Sequence, residues 1–188
     1  MITLLSGIHQ RFFTSIERAT GDWLTGALAR LVFAAVLLMY FLNSAMTKTG
    51  DGLFGWLIVQ DNAYFQILPT VVERFDYDAS QIPFFPWGFI VTLGTYGEII
   101  LPILIVIGLF TRIAALGMIV FVLVQSYVDI AFHGVEQETI GAWFDNLSGA
   151  IILDQRALWM FLLIYLVIHG AGRLSLDHLL GRGMSTRR

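Results

Sequence analysis

The amino-acid sequence predicts an all-α polytopic membrane protein, a four-transmembrane-helix bundle with interfacial helices. Three observations predict it. Hydrophobic residues make up 57% of the chain and charged residues 13%, against about 45–50% and about 25% in soluble domains. A soluble fold of this composition would lack the polar surface to cover itself. Four apolar runs approach or exceed the roughly 20 helical residues that cross a ~30 Å hydrocarbon core. The Lys and Arg residues, finally, fall unequally on the two sides that those runs define.

The chain opens on an amphipathic pattern. Leu5, Ile8, Phe12, Ile16 and Trp23 recur at helical spacings, so this segment either lies on the inner membrane surface, with Arg11 and Arg18 near the headgroups, or packs against the bundle. It does not read as a secretory signal, because its first basic residue follows the apolar start instead of preceding it. The four spans then cover about residues 27–46, 87–110, 112–132 and 155–170 of one membrane domain, 1–188. Helices are forced, because lipid offers no partner for backbone N–H and C=O groups. A transmembrane barrel would show alternating ten-residue segments, which these continuous runs do not.

The connection over residues 47–86 is long for a loop without structure of its own. Its two apolar stretches, Leu53–Val59 and Phe65–Val72, are too short to span, and are expected to form interfacial or re-entrant pieces that cap the outer mouth of the bundle. The later loop, His133–Arg156, carries Trp143 and Phe144 and is expected to dip partly into the interface. With four spans, the termini and the second connection share one side. That side holds Arg11, Arg18, Arg30, Arg112, Arg173, Arg182, Arg187 and Arg188, whereas the other holds only Lys48, Arg74 and Arg156 and most of the acids. Both termini are therefore expected in the cytoplasm. Trp87 and Trp159 stand where an outer aromatic belt would need them.

The chain has no cysteine, which excludes disulfides, thiolate metal sites, iron–sulfur clusters and dithiol chemistry of its own. A redox role would need a bound cofactor, a quinone or a partner. The basic residues form no long cluster, so nothing points to nucleic acid. No nucleophile motif, phosphate-binding glycine loop or haem attachment motif is present, and His169 and His178 stand without metal-ligand spacing.

Glu98 is the most informative single residue. It lies near the middle of the second span, where an ionisable group costs ~2.5–3.5 kcal/mol or more and normally faces the bundle interior. Pro102, at i+4, has no N–H to return to the Glu98 carbonyl and is expected to bend the helix, while Gly94 and Gly97 admit a neighbouring helix or a ligand. Two readings stand. Glu98 is a protonatable carboxyl in a polar pocket, available for proton transfer or for hydrogen bonding a quinone carbonyl or headgroup, or it is a neutral or ion-paired Glu that fixes helix packing. Tyr96, Tyr40 and Gln125 are candidate pocket members, and Asn43, Tyr127 and Asp129 are further polar neighbours from the other spans. Arg30 and Arg112 lie near the cytoplasmic face, where they snorkel or bind an anionic headgroup or loop carboxylate. Asp129, His133 and Glu136 would share one face of a continuing helix, which makes them weak candidates for a divalent metal; a solvated helix end explains them as well.

Three segments together resemble the DoxX family of four-helix bacterial inner-membrane proteins: Leu28–Lys48, with an early Arg and a late Lys; Gly97–Leu116, with its Glu, apolar run and G-L-x-T-R; and Gly170–Gly183, close to the family's G-P-G-R-L-S-L-D ending. Ala171 stands in place of the usual Pro, and the outer connection is longer than in compact members. The family is associated with thiosulfate:quinone oxidoreductase subunits and with a membrane oxidoreductase complex linked to thiol homeostasis, and some members accompany metal-handling or modified-peptide systems. The resemblance thus implies an inner-membrane accessory protein or subunit of a quinone-linked redox system, with a protein partner or a second copy of itself. By motif it falls on Glu98, Thr111, Arg112, Arg173 and Asp177, and on Arg30 and Lys48. The tail motif has a structural reading too, with Ser175 capping a short helix and Asp177 pairing Arg173. The rival function is a non-catalytic membrane scaffold that holds a periplasmic partner, peptide or metal carrier on its outer loops. A small transporter is a third.

Overall fold

The computed structural model describes residues 2–21, 23–52 and 54–185, with side chains from residue 6 to residue 181. The expectations that involve the side chains of Leu5 and Arg182, and those on Leu53, Arg187 and Arg188, lie outside the described residues. Four helices are long and apolar enough to cross a membrane: Leu24–Met46, Phe84–Ile107, Thr111–Ala131 and Ile151–His169. The protein is thus an all-α, multi-pass membrane protein. The spans differ from the sequence boundaries by up to four residues. The second begins earlier, in a wide turn at Phe84–Gly88, and stops at Ile107 because Gly108 adopts a left-handed conformation. The fourth likewise begins in a wide turn, Ile151–Gln155.

Each span packs against the next, and the first also packs against the fourth, which closes a ring of four. Phe33, Leu37 and Phe41 of the first span meet Ile105, Met118, Val122, Leu163 and Leu166 in the central core. Between 22% and 28% of each span is buried inside the chain; the remaining apolar surface suits lipid. Without a hydrophobic drive between helices in lipid, close packing holds them, and small residues permit it. Leu101 of the second span lies over Gly117 of the third, where an added Cβ would sit 3.2 Å from its Cδ2. The second span runs through Pro102 as one helix.

The turn between the second and third spans is locked by the tail. Gly108 is left-handed (φ 71°) and Phe110 likewise (φ 48°). Asp177 accepts hydrogen bonds from the Phe110 and Thr111 backbone N–H groups, at 2.7 and 3.0 Å, and its own N–H reaches the Gly108 carbonyl at 2.8 Å. Its carboxylate therefore caps the third span, a role the Arg173–Asp177 spacing did not suggest. Ser175 caps the tail helix Leu176–Ser185 as expected, accepting from the His178 N–H at 3.2 Å. Gly26 of the first span lies so close to the tail that a Cβ there would be 2.7 Å from the Ala171 backbone.

Residues 47–86 fold into a cap. An isolated bridge joins Thr49 to Val59, two short helices follow (Asp61–Ile67 and Pro69–Arg74), and Val71, Val72 and Ile82 form a separate small core with Trp87 and Tyr64 against it. Trp159 is not the exposed belt residue its position suggested: it is buried and meets Tyr40 and Phe41 edge-on. The N-terminal helix, Ile2–Thr20, leaves Ile8, Phe12, Phe13 and Ile16 exposed. That apolar face is not covered by the bundle.

Candidate functional site

Glu98 is buried, and its partner is a lysine. Lys48, just past the end of the first span, turns back so that its Nζ lies 3.0 Å from Glu98 Oε2, with both side chains about 95% buried. The ammonium donates also to the Ser44 carbonyl at 3.0 Å and to Ser44 Oγ at 2.8 Å. Ser44 Oγ in turn donates to Glu98 Oε1 over a long 3.4 Å. The one-turn spacing of Ser44 and Lys48 brings both to the same face of the first span's C-terminal end. A paired and hydrogen-bonded charge is the form in which an ionisable group survives in a membrane interior. Sequence reasoning sought Glu98's neighbours among tyrosines and amides and missed Lys48 as its counter-charge. The late Lys of the first-span motif was the available signal.

The pair stands in the wall of a cleft of about 840 Å³ between the second and third spans. Leu93, Ile100, Leu101, Leu116, Val120 and Val124 line its length, and several of these open towards lipid. Its polar lining comprises Ser44, Lys48, Glu98, Tyr96, Gln125, Gln66, Asp129 and His133. Gly94, Gly97 and Gly117 also line it, with Ile67, Phe121 and Leu101 packed over them. Three of the four candidate pocket residues, Glu98, Tyr96 and Gln125, therefore meet in one cleft. Tyr96 donates its hydroxyl to the Leu57 carbonyl of the cap at 2.9 Å. Tyr40 does not line the cleft; it supports it from behind by accepting a 3.1 Å hydrogen bond from Gln125 Nε2.

Asp129, His133 and Glu136 are not brought onto one face. The third span ends at Ala131, which removes the continuing helix that the metal reading required. Asp129 is held by Arg156 of the fourth span at 2.6 Å, and His133 Nε2 lies 3.1 Å from the Gln66 carbonyl. Among the described residues no group of three or more His, Cys, Asp or Glu could hold a metal ion. Arg156, 4% exposed, also donates to Ser126 Oγ at 2.9 Å and lies 6.0 Å from the Trp159 ring centre. Sequence reasoning counted Arg156 only as one of the few outer basic residues; the Trp three positions on was the signal of its inward path.

Among the described residues Arg30 meets no carboxylate in hydrogen-bonding contact. Its guanidinium donates to the carbonyls of Ile105 (3.0 Å), Val106 (2.6 Å), Ala171 (3.4 Å) and Leu174. It thus satisfies the C-terminal end of the second span, where a cation is favoured by the helix dipole. Thr111, Arg112, Asp177, His169 and His178 meet at a smaller cavity of about 500 Å³ at the same end, so two of the sequence motifs face one another there.

A closed ring of four lipid-facing helices, with a buried ion pair in the wall of an apolar cleft, defines a small polytopic membrane protein. The chain belongs to the DoxX family, whose sequence model matches residues 25–134. The match takes in the first three spans, Lys48, Glu98, Thr111 and Arg112, and ends before the tail motif. No curated protein and no solved structure matches the chain.

Proposed function

We propose that this protein is a bacterial inner-membrane subunit or accessory of a quinone-linked redox system, with both termini in the cytoplasm. It binds quinone, or a similarly amphipathic molecule, in the cleft beside Glu98, and a partner supplies the redox centre. The observation that carries the reading is the lipid-facing apolar cleft whose wall holds the buried Lys48–Glu98 pair. Ligand sites of this kind are mostly apolar, with a few converging polar groups that orient the head, and a volume of about 840 Å³ accommodates a substituted ring with part of an isoprenoid tail. The polar groups near Glu98 hold the head, and the apolar side chains along the cleft take the tail. The family membership supports a membrane setting of this type.

Purified protein in nanodiscs should bind a decyl-tailed quinone, and Val120→Trp, which fills the cleft while leaving the ion pair intact, should abolish that binding. Unchanged affinity in Val120→Trp, or no binding by the native protein, would refute the reading. A scaffold role is favoured by a different observation: Phe84, Phe85, Trp143 and Phe144 all stand exposed on the outer surface. Their replacement by Ser should release a periplasmic partner in that case and leave quinone binding intact.

A further inference from the structure

We propose that the cleft selects the reduced, hydroxyl-bearing head of its ligand, a hydroquinone or similar phenol, over the oxidised quinone; this rests on the reading of the cleft given above. It follows from which hydrogen-bonding groups in the cleft are committed and which are open.

The donors are largely committed. Lys48 has three protons, and they meet the Ser44 carbonyl, Ser44 Oγ and Glu98 Oε2. The Tyr96 hydroxyl is directed to the Leu57 carbonyl and the Ser44 hydroxyl to Glu98. A carbonyl can only accept, so the 3.1 Å contact of His133 Nε2 with the Gln66 carbonyl fixes that nitrogen as a donor already in use. Gln125 and Gln66 each direct an amide hydrogen elsewhere, to Tyr40 and to Thr47. What remains to a ligand as donors is the second hydrogen of each amide.

The acceptors are open. Glu98 Oε1 receives only the long 3.4 Å contact from Ser44, and a carboxylate oxygen has room for more than one hydrogen bond. Gln125 Oε1 is buried and has no hydrogen-bond partner, although Gln125 lines the cleft. A buried acceptor left unmatched is costly, so this oxygen favours an occupant that brings a hydrogen. A quinone presents carbonyl oxygens, which can take the remaining amide hydrogens but leave both of these acceptors unmatched. A hydroquinone carries two O–H groups and matches the open positions.

The protein in nanodiscs is titrated anaerobically with three probes that share one ring and one decyl tail: the quinone, its hydroquinone and the hydroquinone dimethyl ether. Hydroquinone should bind at least tenfold more tightly than quinone, and the ether, which has no O–H, should lose that advantage. Gln125→Leu should lower the hydroquinone-to-quinone ratio several-fold, and Lys48→Met/Glu98→Leu should remove the rest. Equal affinity for the three probes overturns the proposal and leaves the cleft reading standing. Full hydroquinone preference in both variants also overturns it, by placing its origin elsewhere. If none of the three probes binds, the cleft reading itself fails and the selectivity falls with it.

Discussion

Removing one member of the Lys48–Glu98 pair is the most demanding test of the site's construction. The ammonium has a partner for every proton, at 3.0, 2.8 and 3.0 Å, and the side chains of Lys48 and Glu98 are 4% and 5% exposed. Breaking a buried pair from one side costs ~3–5 kcal/mol, because the survivor is left uncompensated, whereas replacing both members by apolar residues of similar volume is often neutral. Glu98→Leu leaves the ammonium only the two Ser44 oxygens, and Lys48→Met leaves the carboxylate only the long contact with Ser44. Each single change is therefore expected to lower stability by about 3 kcal/mol, more than a hundredfold in the folding equilibrium. The double variant is expected within about 1 kcal/mol of the native protein, a strongly non-additive cycle. Reversible unfolding in bicelles, followed by tryptophan fluorescence, measures all four corners. Single variants each within about 1 kcal/mol of native, or a double variant as unstable as the two singles summed, would refute the argument.

Arg156→Ala should cost ~3 kcal/mol in the same assay by stranding Asp129 and Ser126, and Arg156→Lys should recover little, since an ammonium lacks the planar fork that reaches both. Gly26→Ala should destabilise by ~1–3 kcal/mol, because its methyl group would meet the Ala171 backbone at 2.7 Å and a backbone cannot rotate aside. Asp177→Ala removes the cap from the Phe110 and Thr111 N–H groups and should cost ~1–2 kcal/mol, with faster amide exchange at the start of the third span. In the cap, hydrogen bonds from the Ser80 hydroxyl, the Gln81 amide and the Ser80 N–H hold the Asp78 carboxyl below its ordinary value. Its contribution to local order is then present above the unfolded carboxyl's pKa and lost as pH falls through the lower folded value. Amide exchange of Ser80 should rise over that acidic window, and Asp78→Ala should abolish the dependence.

Span existence and the burial of Glu98 were legible for a local reason. An apolar run of about 20 residues can satisfy its backbone only as a helix in lipid, and a carboxylate within such a run is costly wherever its neighbours lie. The span ends were less legible. Gly108 and Phe110 stop and restart helices through left-handed backbone, a choice stabilised by Asp177, which lies about 66 residues further along the chain. The metal reading of Asp129, His133 and Glu136 failed on the same ground, since it assumed that the helix continued past Ala131. Trp159 and Arg156 have the composition of an interface belt, yet both turn inward because each finds its partners on neighbouring spans.

By itself, then, the sequence determined that this is an all-α membrane protein of four spans, that its family is DoxX, and that one carboxyl stands within the second span. Only the tertiary structure decided that Lys48 is the counter-charge of Glu98, that Arg30 closes a helix end, and that Gly94, Gly97 and Gly117 line one cleft. The physical reason is range. Helix formation and membrane partition depend on neighbours within a few turns, while the pairing of charges 50 residues apart depends on how the spans pack.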